Sequence, residues 1–160
     1  MNKNNITIIV CETESDFNFA KELILEYVNW LGMDLSFQNF EKEMESLPSM
    51  YSKEDGGIFL AKVDGKAAGV VGLRRFSNED AEIKRMFVKP EYRGMKIGQL
   101  MMDKCISSAK ERKYSTIKLD TADYMTQAIK LYTVNGFKNI PAYRHNPHKE
   151  ALYFELLLNT

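Results

Sequence analysis

The dipeptide Asp64-Gly65 constrains the fold of this chain more than any other feature of its sequence. It separates two apolar runs, residues 57–63 and 66–76, and Asp-Gly favours the tight turn of a β-hairpin because both of its residues tolerate a positive φ. A second turn, over residues 77–80, leads into a third strand-like run over residues 81–88. The middle of the chain therefore predicts three consecutive antiparallel strands.

Helices and further strands are predicted on both sides of these three strands. On the N-terminal side, a β-branched strand precedes a helix that Asp16 caps and Gly32 ends, and an acidic helix that Pro48 ends follows. On the C-terminal side, a helix, a strand, a second helix and two strands follow in that order. This order predicts one mixed α/β domain over residues 1–160. The predicted bounds are 6–10, 17–31, 37–47, 97–113, 116–119, 125–135, 137–140 and 151–158.

The balance of charge excludes some classes of protein. The chain carries 22 Lys and Arg against 22 Asp and Glu, so a generally basic nucleic-acid-binding protein is disfavoured. The neutral total conceals a polarity: residues 1–57 hold 4 basic and 11 acidic side chains, whereas residues 58–160 hold 18 and 11. This difference reflects either two solvated surfaces or a basic region that meets an anionic ligand and an acidic one that gathers a cation.

Neither a disulfide framework nor a membrane span is predicted. Cys11 and Cys105 lack the spacing of a zinc motif, and two thiols do not make a disulfide scaffold in a domain of this size. The longest apolar run, residues 67–73, is too short to cross a bilayer, and the N-terminal residues lack a signal-peptide core. We therefore expect a cytoplasmic protein with reduced cysteines and no metal, membrane or nucleic-acid partner; whether it forms a homodimer is left open.

The most informative segment for function is a strand, a glycine-containing loop and the start of a long helix, over residues 88–98. Free backbone N–H groups and the dipole at a helix N-terminus favour an anion. Gly94 and Gly98 let a phosphate approach the backbone, and Arg93 and Lys96 add positive charge. The spacing matches neither the GxxxxGK[ST] loop for nucleoside triphosphates nor the GxGxxG loop for dinucleotides. A pyrophosphate site is indicated, with an ordinary helix start as the alternative.

Three segments together resemble the GNAT family of N-acetyltransferases. Arg93-Gly94-Met95-Lys96-Ile97-Gly98 resembles the family's Q/R-x-x-G-x-G/A loop, although Lys96 replaces its first glycine. Residues 82–90 resemble the strand before that loop, and residues 128–137 resemble the Ala-x-x-Leu-Tyr-x-x-x-Gly-Phe helix. The resemblance implies a mostly antiparallel sheet that splays between its fourth and fifth strands. It also implies acetyl-CoA as donor and direct attack on it by a primary amine in a ternary complex.

The same resemblance implies which residues hold acetyl-CoA. The backbone of Met86 and Val88 would hydrogen-bond the pantetheine arm and the thioester, and the amides from Gly94 to Gln99 would hold the pyrophosphate. Because Lys96 stands in place of a glycine, the geometry of this turn is left open. The complete predicted set is Met86, Phe87, Val88, Arg93, Gly94, Met95, Lys96, Ile97, Gly98 and Gln99.

Two residues are the main candidates for proton transfer. Deprotonating an alkylammonium at pH 7 costs about 4.6 kcal/mol, and the resemblance makes Glu82 the first candidate for the general base. Glu82 lies roughly 13 Å from Met86 along an ideal strand, so it would act through a water. A simple ion pair is its alternative role, and His145 and Glu79 are weaker candidates. Tyr132 matches the family's tyrosine and would hydrogen-bond or protonate the leaving thiolate, with a core tyrosine as the alternative.

The acceptor amine is the part that the sequence determines least. The acidic N-terminal helices could form a rim that favours a cationic small molecule, whereas several arginines could instead pair with an acidic acceptor. A protein lysine or N-terminal acetyltransferase and a non-catalytic acetyl-CoA sensor are the alternative functions. The rim candidates are Glu22, Glu26, Glu41, Glu43 and Glu45, and the arginines are Arg74, Arg75 and Arg144.

Overall fold

The computed structural model of the chain describes residues 5–32 and 39–158. Seven strands form one sheet in the order β1-β2-β3-β4-β5-β7-β6. Neighbouring strands are antiparallel except β4 and β5, which run parallel. The predicted mixed, mostly antiparallel α/β fold is therefore confirmed. The strands are β1 (Ile6–Val10), β2 (Gly57–Val63), β3 (Lys66–Arg75), β4 (Asp80–Val88), β5 (Thr116–Ala122), β6 (Lys138–Ile140) and β7 (Ala151–Leu157).

The hairpin between β2 and β3 forms for the reason that its sequence predicts. Asp64 and Gly65 both adopt a positive φ, 51° and 83° respectively, which is the conformation that a two-residue hairpin turn needs. β3 then turns into β4 through residues 76–79, so these three strands are a continuous antiparallel meander. β4 is the strand at which the sheet changes from antiparallel to parallel pairing.

The helices of the described residues flank this sheet. They are α1 (Glu14–Leu31), α2 (Phe40–Glu45), α3 (Leu47–Met50), α4 (Ile97–Glu111) and α5 (Thr126–Val134). The cap of α1 is Thr13 rather than the predicted Asp16. The Thr13 hydroxyl accepts from the Asp16 N–H at 3.1 Å, and the Asp16 carboxylate accepts from the Thr13 N–H at 3.2 Å, so Asp16 is the second half of a capping box. Gly32 ends α1 with a φ of 68°, as predicted.

The predicted acidic helix over residues 37–47 is two shorter helices in the described residues. Residues 37 and 38 lie outside the described part of the chain. α2 ends at Glu45, and Pro48 lies in the first turn of α3 instead of ending a helix. Proline suits that place because the N–H that it lacks would have no partner within the first helical turn.

Apolar side chains fill two clusters, one on each face of the sheet. Phe59 and Ala61 of β2 pack with Met101 of α4, whereas Ile58 and Leu60, which alternate with them, pack beneath α1 and α3. Cys105 belongs to the first cluster and Cys11 to the second, and both are free thiols.

None of the helices in residues 5–32 and 39–158 is long and apolar enough to cross a membrane. The same residues contain no group of three or more His, Cys, Asp or Glu side chains that could hold a metal ion.

The C-terminal half differs from its predicted bounds at one place that matters for the site. β5 continues to Ala122, three residues beyond the predicted end, because β7 pairs with it as far as Ala122 and Ala151. This extension includes Asp120 in the sheet. α4 ends at Glu111, two residues before its predicted end.

Candidate active site

The sheet opens between β4 and β5. Their parallel pairing covers three positions and ends at Glu82 and Lys118. Beyond that point β4 continues to Val88 paired with β3, and β5 continues to Ala122 paired with β7. One edge of β4 from Ile83 onwards therefore borders a gap, as the resemblance implied.

A β-bulge in β4 lies beside this gap. The register between β3 and β4 shifts between the Val70–Phe87 pair and the Gly72–Lys84 pair, so two residues of β4 oppose one residue of β3. Arg85, the first of the two, has a φ of 60°. A bulge bends its strand and redirects its side chains, and here it places Arg85 in the interior, 8% exposed.

Arg85 is held there by a buried ion pair. Its Nε and Nη2 each donate to the Glu43 carboxylate at 3.0 Å, and the Tyr51 hydroxyl donates to the same group at 2.9 Å. Burial raises the pKa of Glu43, but the hydrogen bonds and charge of Arg85 outweigh it and lower that pKa below its usual value. The Tyr51 ring lies so close to Gly72 that a Cβ there would come within 2.6 Å of it. Glu43 is a core residue, and its predicted place in an acidic rim is wrong.

A cleft of about 750 Å³, counted with its open mouth, lies at the gap. Its walls come from β4, β5, α1, α5 and the loop between β6 and β7. The cleft brings together two of the predicted site residues, Met86 and Tyr132, while Glu82 is not among the described residues that line it. Its lining includes Tyr27, Lys84, Met86, Asp120, Ala128 and Tyr132.

Tyr132 both packs in the core and lines the cleft. Its ring centroid lies 5.8 Å from that of Phe137 and 6.2 Å from that of Phe154, and the residue is only 6% exposed. Burial, followed by the charges of Tyr27 and Asp120, raises the pKa of Tyr132 well above its usual value. The hydroxyl therefore keeps its proton at neutral pH and can act as a hydrogen-bond donor in the cleft.

Glu82 is fully buried and surrounded by donors. Its Oε1 accepts from Arg74 Nε at 3.0 Å and from Arg144 Nη2 at 2.9 Å, and its Oε2 accepts from the Tyr143 hydroxyl at 2.6 Å. Arg144 and Tyr143 belong to the loop between β6 and β7, so Glu82 fastens that loop to β4. This is the ion pair that the sequence left as the alternative role for Glu82.

The loop before α4 has the backbone of an anion site. Gly94 and Lys96 are both left-handed, with φ of 89° and 62°, and no side chain caps the start of α4. A Cβ at Gly94 would meet no atom within 4 Å, so the backbone is open to a ligand on that side. Lys96 thus adopts a conformation that glycine takes readily, and the N–H groups at the start of α4 are available to a phosphate.

The other residues predicted to hold acetyl-CoA differ in what their side chains can do. Phe87 and Ile97 are buried in the two apolar clusters, so only their backbone can reach a ligand. Gln99 donates to Asn135 at 2.8 Å and links α4 to α5. The Arg93 guanidinium lies 5.3 Å from the ring centroid of Trp30 on α1.

The sequence profile of the acetyltransferase (GNAT) family matches residues 24–137, a stretch that contains β4, the loop and Tyr132. The chain belongs to the GNAT family of acetyltransferases. The predicted activity class, an N-acetyltransferase, is confirmed, and its family uses acetyl-CoA as donor.

Known relatives agree with this membership. An uncharacterised N-acetyltransferase of Schizosaccharomyces pombe is 35% identical over 158 residues, which cover 98% of this chain and 97% of that protein. An N-acetylaspartate synthetase of Xenopus tropicalis is 32% identical over 123 residues, 71% of this chain and 45% of that protein.

Solved structures share the fold of this GNAT enzyme. A GNAT acetyltransferase of Staphylococcus aureus superposes with a TM-score of 0.80 at 28% identity, covering 97% of this chain and all of that one. A Salmonella typhimurium protein assigned as an acetyltransferase, solved with its cofactor acetyl-CoA, superposes with a TM-score of 0.71 at 15% identity, covering 98% and 95% of the two chains.

Sequence reasoning missed two charged residues of the GNAT cleft, Lys84 and Asp120. Burial, together with the charge of Arg85, lowers the pKa of Lys84 to about 8. One signal for Asp120 was available, because it directly follows the strand predicted over residues 116–119. The two weaker base candidates, His145 and Glu79, are exposed.

Proposed function

We propose that this GNAT enzyme transfers an acetyl group from acetyl-CoA to the primary amine of a small molecule, by direct attack within a ternary complex. The observation that carries the proposal is the gap beyond Glu82 and Lys118. There the edge of β4 and Tyr132 line one cleft, and the loop with left-handed Gly94 and Lys96 follows at the end of β4.

Acetyl-CoA would bind along β4 and the loop. The backbone groups of Met86 and Val88 on the gap side can hydrogen-bond pantetheine amides, because β5 no longer pairs with β4 at that level. The N–H groups from Gly94 to Gln99 would receive the pyrophosphate, with Arg93 and Lys96 supplying positive charge.

Tyr132 would act on the leaving group. A thiol has a pKa near 8.5 and an ordinary tyrosine a pKa near 10, and burial raises the pKa of Tyr132 further. Complete proton transfer from Tyr132 to the thiolate is therefore uphill. Its proposed role is a hydrogen bond to the sulfur while the C–S bond breaks, with protonation completed late.

Two roles are considered for Glu82, that of general base and that of a residue that positions the loop between β6 and β7. Both oxygens of Glu82 already accept from Arg74, Arg144 or Tyr143, and Glu82 is not among the described residues that line the cleft, which favours a positioning role over that of general base. In that role Glu82 holds the loop between β6 and β7, whose residues Asn146 and His148 line the cleft.

The chemistry of the cysteines supports direct attack rather than an acyl-enzyme intermediate. Cys11 and Cys105 are buried, and neither is among the described residues that line the cleft. Burial raises the pKa of Cys11 to about 12 and also raises that of Cys105. The thiolate is the nucleophilic form, so neither residue supplies an accessible nucleophile.

The acceptor is proposed to be a small amine that is cationic at its reacting nitrogen. The cleft offers Asp120 as an acidic partner for the ammonium group, and Lys84 lies across the gap from it. The second candidate is an amine that also carries a carboxylate, because the positive charge of Lys84 could pair with that carboxylate. The relative named N-acetylaspartate synthetase is consistent with that second candidate.

The test is release of CoA thiol from acetyl-CoA with acceptors of different charge. Diamines, free amino acids, simple alkylamines and lysine-containing peptides are compared at equal concentration. Turnover that is greatest for a diamine or an alkylamine supports a cationic acceptor, and turnover greatest for an amino acid supports the second candidate. Turnover only with peptides would contradict a small-molecule acceptor, and none with any amine would contradict the proposed function.

A further inference from the structure

We infer that Asp120 binds the ammonium group of the acceptor and takes a proton from it as the C–N bond forms. This inference rests on the proposed function, because it concerns the acceptor half of the same cleft. Asp120 lies outside both family motifs, the loop of residues 93–98 and the helix of residues 128–137 that contains Tyr132.

The first observation is a carboxylate oxygen without a partner. Asp120 Oδ2 is buried and has no hydrogen-bond partner in the described part of the chain, where Arg144 Nε is the other buried side-chain atom of this kind. A buried, unpartnered polar group is costly and calls for an explanation. The acids Glu43, Glu82 and Glu155 instead each accept from an arginine or a lysine.

The second observation is the position of Asp120 in the sheet. Glu82 and Lys118 form the last pair between β4 and β5. Because side chains alternate along a strand, Asp120 is the next residue of β5 on the same face as Lys118, and Lys84 is the next residue of β4 on the same face as Glu82. Asp120 and Lys84 therefore stand where the strands begin to part, and both line the cleft.

The third observation connects Asp120 with Tyr132. Both residues line the cleft, and the charge of Asp120 is one of the causes, after burial and Tyr27, that raise the pKa of Tyr132. A carboxylate for the incoming ammonium and a hydroxyl for the departing sulfur thus border the same space. General acid–base catalysis of acyl transfer uses a proton acceptor for the attacking nitrogen and a proton donor for the leaving group.

The proton balance of the step is complete with these two residues. The ammonium nitrogen gives one proton to Asp120 as its lone pair forms the C–N bond to the acetyl carbonyl carbon. The C–S bond then breaks, and the sulfur leaves with its electron pair toward the Tyr132 hydroxyl. The second nitrogen proton passes to the sulfur, by way of that hydroxyl. Asp120 releases its proton to water, so the products are the N-acetylated amine, CoA thiol and one proton.

The assignment also makes a prediction about stability. A carboxylate that served the fold would have donors, and its neutralisation would destabilise the protein. Asp120 Oδ2 is buried without a hydrogen-bond partner among the described residues, so removing the charge costs the fold little, and the variant Asp120→Asn should keep or raise the melting temperature.

The experiment compares Asp120→Asn with Asp123→Asn, which removes the same charge from an exposed site three residues away. Acetyl-CoA affinity, melting temperature and kcat/KM for the best amine are measured for both variants and the unaltered enzyme. We expect Asp120→Asn to lose roughly 10²- to 10⁴-fold in kcat/KM, with acetyl-CoA affinity and melting temperature retained. Asp123→Asn should stay within about twofold of the unaltered enzyme, as expected for an exposed charge outside the cleft.

The loss of kcat/KM in Asp120→Asn should become smaller as the pH rises toward the pKa of the amine. A neutral amine needs neither an ion pair with Asp120 nor a base to remove its first proton. The groups around Asp120 are Lys84 and His148, which line the same cleft, and the four tyrosines Tyr27, Tyr132, Tyr143 and Tyr153. Burial is the largest cause that raises the pKa of each tyrosine, and the charge of Asp120 is a smaller one, so the tyrosines stay protonated at neutral pH in Asp120→Asn as well. A kcat/KM for Asp120→Asn within threefold of the unaltered enzyme overturns the inference and leaves the proposed function intact, and so does an equal loss in Asp123→Asn. An unaltered enzyme that binds acetyl-CoA but acetylates no amine overturns both.

Discussion

The two halves of β4 differ in what borders them. From Asp80 to Glu82 the strand pairs on both sides, with β3 and with β5. From Ile83 to Val88 it pairs on one side only, carries a bulge at Arg85, and borders the cleft on the other. The first half therefore holds the sheet together, and the second half leaves backbone groups for a substrate.

Two carboxylates beside these halves differ in the same way. In the first half, Glu82 is saturated by Arg74, Arg144 and Tyr143. Across the second half, Asp120 Oδ2 has no partner within the described residues. The carboxylate that fastens the loop to β4 is thus satisfied, whereas the carboxylate beside the gap keeps one oxygen without a partner, which accords with the general tension between stability and activity.

The largest effect is expected from breaking the buried pair that anchors the bulge. Glu43→Ala leaves Arg85 charged and buried, so the free energy of unfolding should fall by about 3–5 kcal/mol. Urea unfolding measures the change, and Glu45→Ala, on the exposed face of the same helix, is the control that should stay within about 0.5 kcal/mol. Similar losses in the two variants would show that the pair does not anchor the second half of β4.

A smaller effect is expected at Tyr132. Tyr132→Phe should lower kcat by about 10- to 100-fold, equivalent to roughly 1.4–2.7 kcal/mol, because only the hydrogen bond to the leaving sulfur is lost. Acetyl-CoA affinity should change little. Tyr124→Phe, which alters an exposed tyrosine, is the matched control. A kcat for Tyr132→Phe equal to that of the unaltered enzyme would refute the assignment.

Glu82→Gln separates positioning from base catalysis. It leaves two arginines without a carboxylate, so we expect a loss of about 1–2 kcal/mol in the free energy of unfolding and a higher KM for the amine. The pH profile of kcat should keep its shape, since a positioning residue does not titrate during turnover. Glu79→Gln, at an exposed site, is the control. Loss of the acidic limb of the profile in Glu82→Gln would restore Glu82 as general base.

The smallest effect is expected in the loop. Lys96→Gly relieves the strain of a left-handed lysine, which stabilises the folded protein, but glycine also raises the entropy of the unfolded chain, which destabilises it. Because the two effects nearly cancel, the free energy of unfolding should change by no more than about 1 kcal/mol. Lys96→Val should be the less stable of the two, because a β-branched residue fits a positive φ poorly. Equal melting temperatures for the two variants would contradict the left-handed turn.

The sequence predicted those parts of the fold that local chemistry determines. Asp64-Gly65 identified the hairpin, and the loop before α4 matched a motif at whose glycine position Lys96 adopts a positive φ. The bulge at Arg85 and its partner Glu43 were not predictable, because they depend on pairing between segments 42 residues apart. The extension of β5 to Asp120 likewise depends on β7, and so the acidic residue of the cleft was missed.

The central claim is that the gap beside the second half of β4 binds acetyl-CoA. Its most direct test is a thermal unfolding scan of three proteins, each with and without acetyl-CoA. They are the unaltered enzyme, the variant Ala128→Phe, whose new side chain fills the cleft from α5, and the control Gln127→Phe, which alters an exposed neighbour on the same helix. At 100 times Kd a ligand adds about 2.7 kcal/mol, so the midpoint should rise by roughly 5–10 °C in the unaltered enzyme and in Gln127→Phe, and hardly in Ala128→Phe. An equal rise in all three proteins, or none in the unaltered enzyme, would contradict the account.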